Sequence, residues 1–224
     1  MNFFLFQIFP YISLSFFILG SLLRFDRDPY TWRSKSSQFL RRRQLIWGSV
    51  LFHLGVLVIL VGHIVGLLTP VVVFDTLGIS HGAKQILAMT AGGIAGVFCL
   101  MGLLILIHRR LTDDRVWATT SFADMMVLIL LLAQLLLGLS TIPVSMQHLD
   151  GHEMLKFMAW AQYIVTFRAD AYTFILDVAP VFKVHLTLGM LILLVFPFTR
   201  LVHIWSVPIG FLARPYQIVR KRAV

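Results

Sequence analysis

The sequence contains few charged residues and almost no cysteine. Charged residues make up 13% of its 224 positions, against about a quarter in an ordinary soluble domain. The single cysteine, Cys99, excludes an internal disulfide, a cysteine-rich cluster site and a CxxCH haem-attachment motif. The chain has no internal repeat, no low-complexity segment and no stretch suited to a soluble domain.

Long apolar runs take the place of the missing charge, since 58% of the residues are hydrophobic. The first run lacks a basic start and a small-residue cleavage site, so it predicts a spanning helix and not a cleaved signal peptide. We predict an all-α membrane protein with one domain over residues 1–224, a bundle of five transmembrane helices. Each run is long enough to cross a hydrocarbon core of ~30 Å: about 4–23, 45–68, 85–107, 123–142 and 179–205.

The basic residues predict the orientation. Fifteen of the nineteen Lys and Arg residues fall in the first connection, the third connection and the end of the last helix with its tail, 206–224. Basic residues concentrate on the cytoplasmic side of a membrane. We therefore expect an outer N-terminus and a basic cytoplasmic tail in a bacterial or archaeal cytoplasmic membrane. The same asymmetry explains the net charge of +9 without nucleic acid.

The fourth connection is the only long one, and "DGHEMLKFMAWAQYIV" within it predicts a short amphipathic helix. Asp150 is placed to cap this helix, with Glu153 three residues on. Trp160 and Tyr163 suit a membrane interface. This helix is expected to cover the outer end of the bundle.

Four of the eight histidines lie within predicted spans: His53 and His63 on the second, His185 and His203 on the fifth. Ionisable residues inside a membrane are rare and usually functional. Ten residues advance a helix by roughly 15 Å, and eighteen advance it by roughly 27 Å. Because the two helices are antiparallel, His53 is predicted to face His203, and His63 to face His185.

Two imidazoles that face each other across a bundle form the frame of a b-type haem bound without a covalent link. Two pairs predict two such haems, one near each side of the membrane. Glycines near the ligands, at Gly55, Gly62, Gly66 and Gly189, would let a flat ring approach the backbone. The two spacings differ by about 12 Å along a straight helix, and a bend at Pro197 is one way to remove the difference.

Other interpretations of the histidines remain open at this stage. Each histidine could form a helix–helix hydrogen bond in a haem-free anchor or transporter. A zinc or di-iron site is disfavoured because no Glu lies within a span. His148 and His152, four residues apart in the outer loop, could bind a surface metal, although a solvated loop is the simpler interpretation.

The chain resembles the gamma subunits of respiratory nitrate reductases, a family of dihaem membrane cytochromes b. The resemblance covers essentially the whole chain and is carried by "DPYTWRSKSSQ", "LFHLGVLVILVGHIVGLLTP", "TIPVSMQHLDGHEMLKFMAWAQYIVTF" and "HLTLGMLILLVFPFTRLVHIWSVP". It implies an inner haem on His53 and His203 and an outer haem on His63 and His185. It also implies a quinol-oxidising subunit of a quinol:nitrate oxidoreductase complex.

The resemblance extends to the substrate and the partners. It implies oxidation of menaquinol or ubiquinol beside the outer haem, served by a lysine that matches Lys84 in a loop before the third helix. Gly62, next to His63, would leave room for the quinol ring. An iron–sulfur subunit and a molybdenum subunit would dock on the cytoplasmic side. A related dihaem cytochrome b that serves a sulfite- or heterodisulfide-reductase complex is the competing interpretation.

Two basic features complete the expectations. Arg200 lies three residues before His203, where its guanidinium could contact a propionate of the inner haem, or simply reach the cytoplasmic surface. The tail, "FLARPYQIVRKRAV", is expected to hold the cytoplasmic partners, or else to rest on anionic lipid.

Overall fold

The computed structural model describes residues 1–32, 37, 39–206 and 213. Within these residues five helices are long and apolar enough to cross a membrane. The predicted all-α class and the number of apolar spans are therefore confirmed. The tail predicted over 206–224 lies outside the described residues except for Ser206 and Ala213.

Six helices carry the description that follows. They are α1 (Phe4–Arg27, with two π-helical turns), α2 (Arg42–Leu68), α3 (His81–Leu111), α4 (Phe122–Ser145), α5 (His152–Val165) and α6 (Pro180–Val195). Short helices at Val71–Thr76 and Asp114–Ala118 lie in the connections. Helices α1, α2 and α3 extend a few residues beyond the predicted apolar runs, because polar residues form their terminal turns, and α4 extends by Phe122 and residues 143–145.

Local signals in the sequence explain where several helices begin. Ser80 caps α3 by accepting a hydrogen bond from the amide of Ala83. Ser121 and Asp124 form a reciprocal capping box at the start of α4. The expected capping box of α5 is wrong: its N-cap is Gly151 at φ 82°, and Asp150 instead accepts a bond from the amide of His152. Glycine adopts this left-handed backbone at little cost.

The end of the last span departs from a continuous helix. Regular α6 ends at Val195, a short 3₁₀ turn follows at Phe196–Phe198, and Thr199 is extended at φ −123° and ψ 177°. A second 3₁₀ segment then runs over Arg200–Ser206 and carries His203. Pro197 has no amide hydrogen to continue the helical bonding pattern, which accounts for the break.

The spanning helices pack side by side in the order α2, α3, α4, α6, α1. The closest approach is between α2 and α3, where glycines replace side chains. A Cβ added to Gly55 would lie 2.5 Å from the Ala95 carbonyl, and one added to Gly102 would lie 2.3 Å from the amide of Phe52. Small residues allow such close contact between membrane helices.

Contacts define two ends of the bundle. At the end with the chain start, called the N-face, Trp160 of α5 donates to the carbonyl of Phe6, and Gln162 donates to the carbonyls of Leu67 and Thr69. Helix α5 thus joins the beginning of α1 to the end of α2. Trp160 is buried in a core at this end.

The opposite end, called the basic face, is formed by residues 28–32, 37 and 39–41 of the first connection, by the connection 112–121 and by residues 199–206. Buried Arg109 donates to the carbonyls of Ser37 and Leu40. Arg41 pairs with Asp113 at 2.9 Å. The hydrogen bond from Arg41 lowers the pKa of Asp113 below its ordinary value, so this acid stays ionised and keeps the two connections together.

Candidate functional site: two histidine pairs between α2 and α6

The structure brings the four intramembrane histidines together in the two pairs predicted from their spacing. The ring centres of His53 and His203 lie 6.3 Å apart. Those of His63 and His185 lie 6.2 Å apart. The ring planes meet at 71° in the first pair and 47° in the second. In the described part of the chain, no group of three or more His, Cys, Asp or Glu side chains is placed to hold a metal ion.

Three of the four rings are fixed by the backbone of their own segment. The Nδ1 atom of His53 is 2.7 Å from the carbonyl oxygen of Ser49, that of His63 is 2.8 Å from Ile59 and that of His203 is 2.6 Å from Arg200. A carbonyl only accepts, so Nδ1 carries the proton in each ring. The lone pair is then on Nε2, the atom available to bind a metal.

His185 is held differently. Its Nδ1 atom is buried and makes no hydrogen bond of good geometry. The ring packs instead against α4, where a Cβ added to Gly138 would lie 3.1 Å from its Cε1 atom. One turn closer to the basic face, the glycine is on α6 and the larger residue on α4. There the side chain of Gln134 fills the space beside Gly189.

The glycines near the histidines serve two different purposes. The backbone of α3 fills the space beside Gly55, and Gln134 fills the space beside Gly189, so neither glycine leaves space for a ligand. The expectation that a flat ring approaches the backbone at these two glycines is therefore wrong. Gly62 and Gly66 have no other atom within 4 Å of where a Cβ would lie. Open space therefore exists beside His63.

Lys84 is not in a loop, as the sequence suggested, but is the fourth residue of α3. Its side chain is buried, with 8% of the residue exposed. The ammonium donates to the carbonyl of Gly66 at 3.1 Å and contacts the sulfur of Met158 at 2.8 Å. It also lies 3.7 Å from the ring centre of Phe74. A solvated surface lysine is therefore the wrong description.

Arg200 has one contact with the pair of His53 and His203 and another with a buried acid. Its carbonyl accepts the bond from His203, and its guanidinium is 3.7 Å from the carboxylate of buried Asp124. Both residues line a cavity of roughly 200 Å³ on the basic face, together with Arg24 and Thr199. The Arg200 side chain is therefore partly exposed at the edge of a partly open cavity, beside Asp124.

One residue of this region received no role in the sequence analysis. Arg24, in the last turn of α1, donates to the carbonyls of Pro197, Thr199 and Thr31 at 2.6, 2.8 and 2.8 Å. In sequence it is one of seven basic residues of the first connection. Only its place at the very end of an apolar run distinguishes it, and that signal does not identify the distant carbonyls.

Comparison with known proteins gives the family of this chain. The model of the nitrate reductase gamma subunit family matches residues 2–222. The chain belongs to this family. It is 50% identical to the respiratory nitrate reductase 1 gamma chain of Escherichia coli over 222 residues, 99% of this chain and 98% of that one. It is 38% identical over 220 residues, 98% of each chain, to the nitrate reductase gamma chain of Bacillus subtilis.

Family membership and the five apolar helices together establish a multi-pass membrane protein of the nitrate reductase gamma family. A more distant relative has another layout. The chain is 33% identical to the nitrate reductase-like protein NarX of Mycobacterium tuberculosis, over 95% of this chain but only 33% of that protein. The gamma-subunit sequence therefore also occurs as part of a longer chain.

Proposed function

We propose that this chain is the dihaem cytochrome b subunit of a respiratory nitrate reductase, which oxidises quinol and delivers the electrons to cytoplasmic partner subunits. The observation that carries the proposal is the approach of four histidine rings in two pairs, at 6.2 and 6.3 Å. Two imidazoles whose nitrogens each lie about 2 Å from one metal ion have ring centres roughly 6 Å apart.

The donor set fits b-type haem. Neutral imidazoles are the usual haem ligands in a helix bundle, and a backbone carbonyl fixes the Nδ1 proton of three of the four rings. Two such rings on facing segments could hold a haem between them. His53 and His203 would hold the haem near the basic face. His63 and His185 would hold the one near the N-face. A haem bound in this way would supply a one-electron acceptor and donor.

The quinol site is proposed at the N-face, beside His63. Gly62 leaves open space next to this histidine, and the ammonium of Lys84 reaches α2 at Gly66, one turn further on. The N–H groups of the Lys84 side chain can donate a hydrogen bond to a quinol oxygen. Lys84 and Gly62 thus provide a hydrogen bond and a space for a flat ring at one end of the bundle.

The distribution of basic residues supports the orientation, and membership of the gamma-subunit family supports the partners. Arg24, Arg41, Arg109 and Arg200 all lie at the basic face, which we assign to the cytoplasm because basic residues accumulate there. An iron–sulfur subunit and a molybdenum subunit would dock on this face, with help from the basic tail. Quinol protons would be released at the N-face, outside, while electrons move toward the cytoplasm.

The test is a pyridine haemochrome determination on the purified wild-type protein. We expect two b haems per chain, resolved as two steps in a redox titration. A protein expressed with sufficient haem that binds none would be a haem-free anchor and would overturn the proposal. Two haems with no response to quinol would leave a cytochrome of another role, and would overturn the quinol site.

A further inference from the structure

Helix α1 contributes no histidine, yet one stripe of its surface contacts the broken end of the last span. Phe17, Gly20, Ser21 and Arg24 recur at intervals of three and four residues, so they share one helical face. The ring of Phe17 lies 4.7 Å from that of Phe196, and the hydroxyl of Ser21 accepts a bond from Trp205 at 3.3 Å. A Cβ on Gly20 would lie 2.9 Å from the ring of Pro197.

Arg24 makes the polar contacts of this stripe. Where a helix breaks, carbonyl oxygens lose their amide partners and require other donors. Arg24 supplies them: one terminal nitrogen donates to the carbonyls of Pro197 and Thr199, and the other to that of Thr31. A guanidinium has donors in a fixed planar fork, which an ammonium lacks.

The break determines where His203 lies. With eighteen residues from His185 to His203, a straight helix would carry His203 roughly 27 Å away, while His53 and His63 are separated by roughly 15 Å. The extended residue Thr199 redirects the chain, and His203 follows four residues later, in contact with His53. The ring is also bonded to the carbonyl of Arg200, the first residue after the break.

We infer that Arg24 is a positioning residue for the basic-face haem: its guanidinium holds the chain break at Pro197–Thr199 and so sets the angle at which His203 meets His53. This rests on the haem ligation proposed above. In the described part of the chain, no hydrogen bond or ring contact joins His63 or His185 to the residues of this stripe. The effect of Arg24 is therefore confined to one of the two haems.

The experiment compares Arg24→Gln and Arg24→Lys with Arg27→Gln in the full-length protein. Arg27 is exposed and lies in the same helical turn, so its replacement removes the same charge without touching the break. Haem content, the low-spin spectrum and the two midpoint potentials are measured. A His203→Ala variant identifies the redox step of the basic-face haem, and the other step is the internal control for folding.

Both Arg24 variants are expected to lose the basic-face haem or to shift its midpoint potential by about 59 mV. Such a shift corresponds to a tenfold change in the protein's relative affinity for the oxidised and the reduced haem. Arg27→Gln should retain both haems unchanged. Unaltered haems in the Arg24 variants, full rescue by lysine or equal loss of both haems would each overturn the inference while leaving the proposed function intact. A haem-free wild-type protein would overturn both.

Discussion

The two histidine pairs reach the same ring separation by different structural means. In the N-face pair, both His63 and His185 lie on regular helices, α2 and α6, and the surrounding packing is between helices. In the basic-face pair, His203 lies on a short 3₁₀ segment beyond a break, and a third helix, α1, makes hydrogen bonds with the break and with that segment. The comparison shows that a histidine of a pair need not lie on the regular helix that its sequence spacing predicts.

The largest effects should come from the histidines themselves. Replacing either partner of a pair with alanine removes one of the two proposed haem ligands. His53→Ala and His203→Ala should therefore lose the same haem, and His63→Ala and His185→Ala the other. Haem content and redox titration measure this. An identical spectral loss in His53→Ala and His185→Ala would show that the histidines are paired differently.

Lys84→Ala should slow the reduction of the haems by quinol, because the proposed quinol site lies beside the His63–His185 pair only. A hydrogen bond from a charged donor contributes about 1.5–3 kcal/mol, so reduction of the haems by quinol should slow by roughly tenfold or more. Both haems should still assemble, and artificial donors to the soluble partner subunits should still support nitrate reduction.

The matched control for Lys84 is Lys183→Ala. Lys183 is likewise the fourth residue of a spanning helix at the N-face, but its ammonium bonds the carbonyl of Leu176, away from Gly66. Quinol reduction should be unaffected in this variant. Equal rates in wild type and Lys84→Ala would remove Lys84 from the proposed quinol site.

The glycines beside the histidines should respond in opposite ways. Gly55→Ala forces a Cβ to within 2.5 Å of the Ala95 carbonyl, and overpacking of this kind costs about 1–3 kcal/mol. Gly62→Ala adds a methyl group in open space. The midpoint temperature of unfolding in detergent should therefore be unchanged or slightly higher, since Ala favours a helix over Gly by roughly 0.5–1 kcal/mol. Equal thermal stability of the two variants would contradict the tight α2–α3 contact.

The smallest effect is expected from Gly138→Ala. The new methyl group would lie 3.1 Å from Cε1 of His185, so the ring must move by a few tenths of an ångström. The potential of the N-face haem should shift by less than about 59 mV, a tenfold change for a one-electron couple. The basic-face potential is the control, and a shift confined to that haem would contradict the assignment of His185 to the N-face pair.

Several features could be predicted from the sequence because they depend on local periodicity. The spans follow from the length of apolar runs, and the pairing of His63 with His185 follows from antiparallel helices of known rise. The pairing of His53 with His203 was also correct, although it required a bend that only Pro197 suggested. Family resemblance indicated Lys84, but not that its side chain is buried between Gly66 and Met158.

The sequence by itself determined the helical class, the number of apolar helices and which histidines form partners, because hydrophobicity and helical rise act over consecutive residues. Only the tertiary structure decided which glycines pack against backbone and which leave space, since Gly55 and Gly62 look alike in sequence. It also decided the contacts of Arg24, whose carbonyl partners Pro197 and Thr199 lie more than 170 residues away. Contacts between such distant segments depend on how helices pack, which no local pattern encodes.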